Sequence, residues 1–207
     1  MSEKMRNRVF GAVFLLLSIP PLIPVLMLLP GFASLGWNSL IFLSEAIINA
    51  ADVVISFFII FGIREEISLK IQAAALFAET ALFFVTDIFM YTDAVGSEYV
   101  DNLEAFVIFI FAASGVMAAL PAIFMLLLSK GRDCRKACIV FTVLFAAEDL
   151  LRSSITLGGS YMAALIFVPT VPFSLMAVYL TLTLKNRRLK ETAPSDTPLP
   201  PPQEPQR

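Results

Sequence analysis

The chain alternates between long apolar runs and short polar segments. Each run reaches roughly the 20 residues that an α-helix needs to cross the hydrocarbon core of a bilayer. The runs lack the apolar–polar alternation of barrel strands, and backbone groups in lipid must bond within the protein, so the pattern predicts helices. The predicted fold is an all-α integral membrane protein, a bundle of six transmembrane helices at about 9–30, 39–63, 71–91, 105–128, 137–157 and 161–184.

Prolines interrupt three of these runs. They are Pro20, Pro21 and Pro24 in the first run, Pro121 in the fourth, and Pro169 and Pro172 in the sixth. Proline lacks a backbone N–H and clashes with the preceding turn, so we expect these helices to be kinked or broken there. The first run also follows a short cationic segment, as in a secretory signal peptide. It is longer than the apolar core of such a peptide and therefore predicts a retained span.

Lysine and arginine occupy alternate connections between the predicted spans. They occur at the N-terminus and in residues 64–70, 130–136 and 185–190. The connections at 31–38, 92–104 and 158–160 contain none. Because basic residues stay on the cytoplasmic side of a membrane, this pattern predicts a multi-pass protein with six spans and both termini in the cytoplasm.

The composition supports a membrane protein and excludes several kinds of chemistry. Only 15% of the residues are charged and 58% are hydrophobic, whereas soluble domains average about 25% charged residues. Histidine is absent, which excludes haem and zinc sites that need histidine and any Ser-His or Cys-His nucleophile. No basic surface interleaved with aromatic residues predicts a nucleic-acid partner. Cys134 and Cys138 are expected to be reduced thiols, with S-palmitoylation as the alternative.

The chain divides into one membrane domain and a tail. Residues 1–190 form the predicted transmembrane domain, and residues 191–207 are proline-rich and predicted to be a disordered cytoplasmic tail, or alternatively a ligand for an SH3-type partner. An inverted repeat of three plus three spans is a further hypothesis. Its support is that residues 24–31 and 121–131 both run from proline through apolar residues to glycine.

Three charged side chains stand in the middle of the fifth apolar run. They are Glu148, Asp149 and Arg152. Residues three or four positions apart are neighbours on a helix, so Arg152 can pair with both carboxylates. One guanidinium cannot fully compensate two carboxylates, and a charge at membrane depth indicates a functional site.

Two other runs also carry carboxylates at membrane depth. In the second run, Glu45, Asn49 and Asp52 are spaced four and three residues apart, so they share one stripe of a helix. In the third run, Glu79 and Asp87 are about two turns apart. We therefore take these residues, with those of the fifth run, as the predicted substrate- or ion-binding set.

The excess of negative charge in this set requires compensation. Six carboxyl groups and one arginine leave five formal negative charges in excess, and each charge costs about 2.5–3.5 kcal/mol at the centre of a membrane helix. We expect them to face an interior or a water-filled cavity rather than lipid. Protons or cations would then occupy the carboxylates.

These observations lead to one leading hypothesis about function and two alternatives. The leading hypothesis is a small transporter or channel for protons with a small cationic or polar solute, acting without a resident cofactor or metal ion. The first alternative is a non-catalytic scaffold or accessory subunit, in which polar groups hold helices, a membrane partner or a second copy together. The second is a membrane-embedded enzyme, a cyclase or isomerase whose carboxylic acid donates a proton to an isoprenoid-like substrate.

Overall fold

A computed structural model of the chain describes residues 2–28, 30, 38–96, 102–156 and 168–192. Helices account for nearly all of these residues, and none of them is in a strand. The helices are α1 (Glu3–Leu28), α2 (Asn38–Phe61), α3 (Glu65–Gly96), α4 (Asn102–Ser129), α5 (Arg135–Thr156) and α6 (Thr170–Thr192). The predicted all-α class is confirmed.

Four of these six helices are long and apolar enough to cross a membrane, namely α1, α2, α3 and α4. The apolar part of α6, Thr170–Leu184, is shorter. α5 is not in this group because it combines a basic first turn with the three charges at Glu148, Asp149 and Arg152. The six-span count, the position of the termini and the repeat therefore remain predictions.

Apolar side chains cover the outside of the bundle, and many polar ones lie inside it. Leu16 is 65% exposed and Phe61 75% exposed, whereas Asp52 and Gln72 are completely buried. A soluble protein has the opposite distribution. The surface therefore suits contact with lipid tails, and many polar groups of the helices avoid that contact, whereas Glu45 is exposed.

The third helix lies at the centre of the bundle. α3 packs against α2, α4 and α6, while α1 packs against α2 and α6. The buried core includes Ile55 of α2, Leu76 of α3, Phe145 of α5 and Phe173 of α6. This arrangement places one side of α2, α3, α5 and α6 towards a common interior.

Two short connections are closed by glycine caps of the same kind. After α2, the Gly62 N–H donates to the Ile59 carbonyl (3.1 Å) and the Ile63 N–H to the Phe58 carbonyl (2.9 Å). After α4, Gly131 and Arg132 make the two corresponding bonds, each 3.0 Å long. These are Schellman motifs, and both glycines adopt the left-handed conformation that the motif requires, with φ of 69° and 94°. We call the helix ends at these connections the capped ends; on the predicted topology they lie at the cytoplasmic side.

The prolines of the first helix do not interrupt it. α1 continues through Pro20, Pro21 and Pro24 as one helix, so the expected break is not found. The neighbouring helix α2 contributes a contact at this place, since Asn49 Nδ2 lies 3.5 Å from the Pro21 carbonyl oxygen. The carbonyl groups that lose a helical donor are those four residues before each proline, so this contact does not replace a lost bond and instead joins α2 to α1.

The predicted boundaries differ from the structure at several helices. α1 begins at Glu3 rather than near residue 9, and α6 continues to Thr192 rather than ending near residue 184. α3 begins at Glu65 rather than near residue 71, because the charged segment after Gly62 continues into the helix instead of forming a loop. The described part of the sixth span begins at Thr170, with Pro172 in the first turn, where a missing N–H costs little. Residues 161–167 of that predicted span, and the predicted tail beyond Thr192, lie outside the described residues.

Candidate functional site

Arg152 of α5 pairs with the two carboxylates of its own helix. Its Nη2 donates a hydrogen bond to Asp149 Oδ1. Its Nε lies 3.9 Å from Glu148 Oε1, within ion-pair distance. The guanidinium carbon also lies 4.9 Å from the centre of the Phe83 ring on α3, a cation–π contact. The pairing that the three- and four-residue spacings predict is therefore present in the structure.

Hydroxyl groups from two neighbouring helices complete this arrangement. Thr170 Oγ1 of α6 donates to Asp149 Oδ2 over 2.5 Å. Ser114 Oγ of α4 donates to Glu148 Oε1 over 2.5 Å. Thr170 and Ser114 are themselves buried. α4, α5 and α6 therefore meet around the two carboxylates of α5.

Glu79 of α3 enters the same region from another side. Its side chain is 3% exposed, and Oε2 has no hydrogen-bond partner. The charges of Asp149, Arg152, Glu45 and Glu148 all act on it electrostatically. Glu79 is thus a buried carboxyl group among other carboxyl groups, with a hydrogen-bonding capacity that is not fully used.

Glu45 of α2 lies at the rim of this region. It is exposed but close enough to Asp149 and Arg152 to interact with them electrostatically. Asn49, one turn further along α2, is buried and donates to the Glu45 carbonyl oxygen over 3.0 Å. The contacts of the Asn49 amide therefore tie α2 to itself and to α1.

The structure thus brings five predicted residues together, and we call them the acid–arginine cluster. They are Glu45, Glu79, Glu148, Asp149 and Arg152. Glu79 is about 14 residues from the capped end of α3, and Asp149 about 14 residues from that of α5, which corresponds to about 21 Å in both cases. Four carboxyl groups share one guanidinium at this depth.

Three predicted residues are not part of the cluster. One of them is Asn49, whose amide makes the backbone contacts given above. Asp52 of α2 is completely buried, and neither of its carboxyl oxygens has a hydrogen-bond partner. Among the described charged groups none acts on it electrostatically, so it does not belong to the cluster. For Asp87 the structure describes its position in α3 but not its side chain; its predicted role lies outside the described side chains.

Sequence reasoning did not select Ser114 and Thr170 as site residues. Both stand in spans without charges, where a single hydroxyl is an ordinary helix–helix contact. Gln72 of α3 was also missed; its Nε2 donates to the Phe173 carbonyl oxygen over 3.1 Å. The sequence signal available for Gln72 was a glutamine within an apolar run, two helical turns before Glu79.

The cluster offers acceptors for a proton or a small cation. In the part of the chain that the structure describes, no group of three or more Cys, Asp or Glu side chains has the arrangement of a metal site. Cys134 and Cys138 are free thiols. Burial, together with the nearby Asp133 carboxylate, raises the pKa of the Cys134 thiol, so this cysteine is a weak nucleophile at neutral pH.

Comparison of the chain with protein-family models, with curated proteins and with solved structures finds no match in any of the three sets. What the chain does is therefore inferred from its own residues and their geometry.

Proposed function

We propose that the protein is a small multi-pass membrane transporter that couples the movement of a small cationic or polar solute to protons, with the acid–arginine cluster as its binding site. In this proposal the chain crosses the membrane six times and both termini are cytoplasmic, in accordance with the distribution of lysine and arginine. The observation that carries the proposal is the state of Glu79. It is buried among three other carboxyl groups and retains an oxygen without a partner.

The balance of charge in the cluster supports a binding role. Four carboxyl groups and one guanidinium leave three formal negative charges in excess. Burying an unpaired charge is costly, and a purely structural polar contact is expected to be fully hydrogen-bonded. A proton or a cationic group from the solute would reduce this excess.

The positions of the charged groups suggest a separate role in transport for each of them. Arg152 pairs with Asp149 and Glu148, so these two carboxylates share one counter-charge. Glu79 has no such direct partner among the described contacts of its Oε2 atom. Glu79 would therefore alternate between a proton and the cationic group, and Glu45 at the exposed rim would receive the solute first. Competition between proton and solute for one carboxylate gives the coupling.

The test measures proton movement in liposomes that contain purified protein and a pH-sensitive dye. A gradient of Na⁺, K⁺ or a small amine is imposed on vesicles with the wild type, with Glu79→Gln and with Thr142→Val. We expect solute-dependent proton movement in the wild type, and none with Glu79→Gln because an amide cannot exchange a proton. Thr142 is the control, since it is buried on α5, outside the acid–arginine cluster, and its hydroxyl bonds to Cys138 of its own helix.

The outcomes separate this proposal from its main competitor. A folded Glu79→Gln protein that moves protons like the wild type would contradict the proposal, and so would an inactive wild type with each of these cations. The competitor is a membrane scaffold or accessory subunit. The contacts that join different helices favour it, namely Ser114 to Glu148, Thr170 to Asp149 and Gln72 to the Phe173 carbonyl. A scaffold would lose assembly rather than flux when these contacts are removed.

A further inference from the structure

A second group of buried polar side chains lies nearer the capped ends, apart from the acid–arginine cluster. It consists of Asp52 on α2, Gln72 on α3 and Ser174 on α6, and we call it the inner polar layer. Asp52 and Gln72 are 0% exposed and Ser174 is 6% exposed. All three helices pack against one another. These buried side chains therefore stand on three helices that pack against one another.

Their level along the bundle follows from the connection between α2 and α3. Asp52 is about nine residues from the end of α2 and Gln72 about seven residues from the start of α3, so both lie about 10–13 Å from the same capped connection. Gln72 donates to the Phe173 carbonyl on α6, and Ser174 is the next residue. One turn nearer the capped end, Ser56 Oγ lies 3.4 Å from Met176 Sδ and fixes α2 against α6 at that level.

The acceptors of this layer lack partners in the protein. Both carboxyl oxygens of Asp52, the Gln72 Oε1 atom and the Ser174 hydroxyl are buried without a hydrogen bond. Ser68 Oγ, one turn from Gln72 towards the capped end, is in the same state. Buried polar groups in proteins are almost always satisfied by protein or by water, and a buried water needs two to four such partners. A water that reaches two or more of these orphaned groups would satisfy them.

No ionic partner for Asp52 is present on the helices around it. Along α3 the ionisable side chains in this region are Lys70 and Glu79, and on α6 there is Tyr179. α1 has no ionisable residue from position 9 to 28. None of these groups acts electrostatically on Asp52. An ionised carboxylate in such a place would carry a cost that hydration or a proton removes.

We infer that the inner polar layer is a second proton-binding site, in which the Asp52 carboxyl group carries a proton and exchanges it with water held between α2, α3 and α6. The inference rests on the proposed function and adds a step to it. Asp52 is seven residues from Glu45 on α2, and Gln72 is seven residues from Glu79 on α3. The two residues of each pair therefore lie on the same face of their helix, about 10 Å apart along it. The inner layer thus stands between the acid–arginine cluster and the capped ends.

The direct test is infrared spectroscopy of the full-length protein in liposomes, in H₂O and in D₂O. A protonated carboxyl group has its own C=O band, and the band shifts when deuterium replaces the proton. We expect a D₂O-sensitive band that is lost with Asp52→Asn and kept with Thr142→Val. The inference is overturned if the spectrum of Asp52→Asn equals that of the wild type, or if the band assigned to Asp52 does not shift in D₂O.

A second variant keeps the test decisive if Asp52→Asn does not fold. Gln72→Leu leaves the carboxyl group in place but removes an amide that would hold the same water. We expect the Asp52 band to remain and its frequency to change. An unchanged frequency would contradict a shared water.

Flux measurements on the same variants separate this inference from the proposed function. Slower proton release with Asp52→Asn, while the solute still binds, supports the inner site. Undiminished release in that variant overturns the inference and leaves the acid–arginine cluster as the site. If the wild type is inactive but shows the Asp52 band, the transport proposal is overturned, and with it the added step at Asp52. Proton binding at Asp52 then still stands.

Discussion

Arg152 has more partners than any other group in the acid–arginine cluster. It donates to Asp149, lies within ion-pair distance of Glu148 and stacks on Phe83 of the neighbouring helix. Asp149 is 3% exposed, so solvent can replace little of what the guanidinium supplies. The stability of α5 in the bundle therefore depends on this pairing.

We predict that Arg152→Gln destabilises the protein by about 3 kcal/mol, because it leaves buried carboxylates without a counter-charge. Thr170→Val, which removes only one hydrogen bond to Asp149, should cost about 1–3 kcal/mol. Denaturant unfolding in detergent measures both. A proton can replace the guanidinium, so the loss caused by Arg152→Gln should shrink as the pH falls. An Arg152→Gln protein as stable as Thr170→Val at every pH would contradict this account.

At the scale of the elements, α1 and α2 approach each other closely at Gly11. A Cβ atom at this position would lie 2.6 Å from Ile60 Cγ1, 2.9 Å from the Ile60 nitrogen and 3.0 Å from the Ser56 oxygen. Two of these three atoms belong to the backbone of α2 and cannot move aside alone. Glycine therefore sets the distance between the two helices, as small residues do at membrane helix interfaces.

We predict that Gly11→Ala lowers the free energy of unfolding by about 1–3 kcal/mol, since α1 must move away from α2. Gly115→Ala is the matched control. There the added methyl group meets side-chain atoms, the edge of the Phe84 ring at 3.3 Å and Phe83 Cβ at 3.6 Å, and alanine favours a helix by about 1 kcal/mol. Unfolding in detergent should show a loss for the first variant and little change or a gain for the second. Equal losses in the two variants would mean that the close approach of α1 and α2 at Gly11 does not cause the loss of stability.

Sequence patterns predicted the elements better than the contacts between them. Hydrophobic run length found every described helix, and helical spacing predicted the pairing of Arg152 with Asp149. The pattern did not reveal that Asp52 stands apart from Glu79, because that depends on how α2 is turned relative to α3. It also did not reveal the partners Ser114 and Thr170, because a contact between spans far apart in the chain leaves no trace in local spacing.

At the scale of the whole molecule, the polar groups form two levels inside an apolar exterior. The acid–arginine cluster lies about 21 Å from the capped ends and the inner polar layer about 10–13 Å. The proposed transport depends on which side of the membrane those capped ends face. Cys134 lies in the capped connection after α4 and is partly exposed. Labelling of its thiol can therefore show which side of the membrane the capped ends face.

We predict that a membrane-impermeant thiol reagent labels Cys134 in inside-out vesicles and not in sealed right-side-out vesicles, because the basic connections are cytoplasmic. The raised pKa of this thiol slows its reaction at neutral pH, so labelling is carried out at mildly alkaline pH. Cys138→Ala should keep the label, since Cys138 is buried, and Cys134→Ala should lose it. Labelling in right-side-out vesicles alone would reverse the proposed orientation.

The two glycine caps also bear on how the protein is made. Each joins two helices through a very short connection, so α2 with α3, and α4 with α5, are hairpins that can enter the membrane as pairs. The ribosome completes the first hairpin, with Glu45 and Glu79, before Arg152 exists. Thr170, which bonds to Asp149, is synthesised with the last helix. On the proposed topology, the carboxyl groups of the first hairpin would therefore be in the membrane before Arg152 is made, and a chain interrupted at that point would keep unpaired polar groups there.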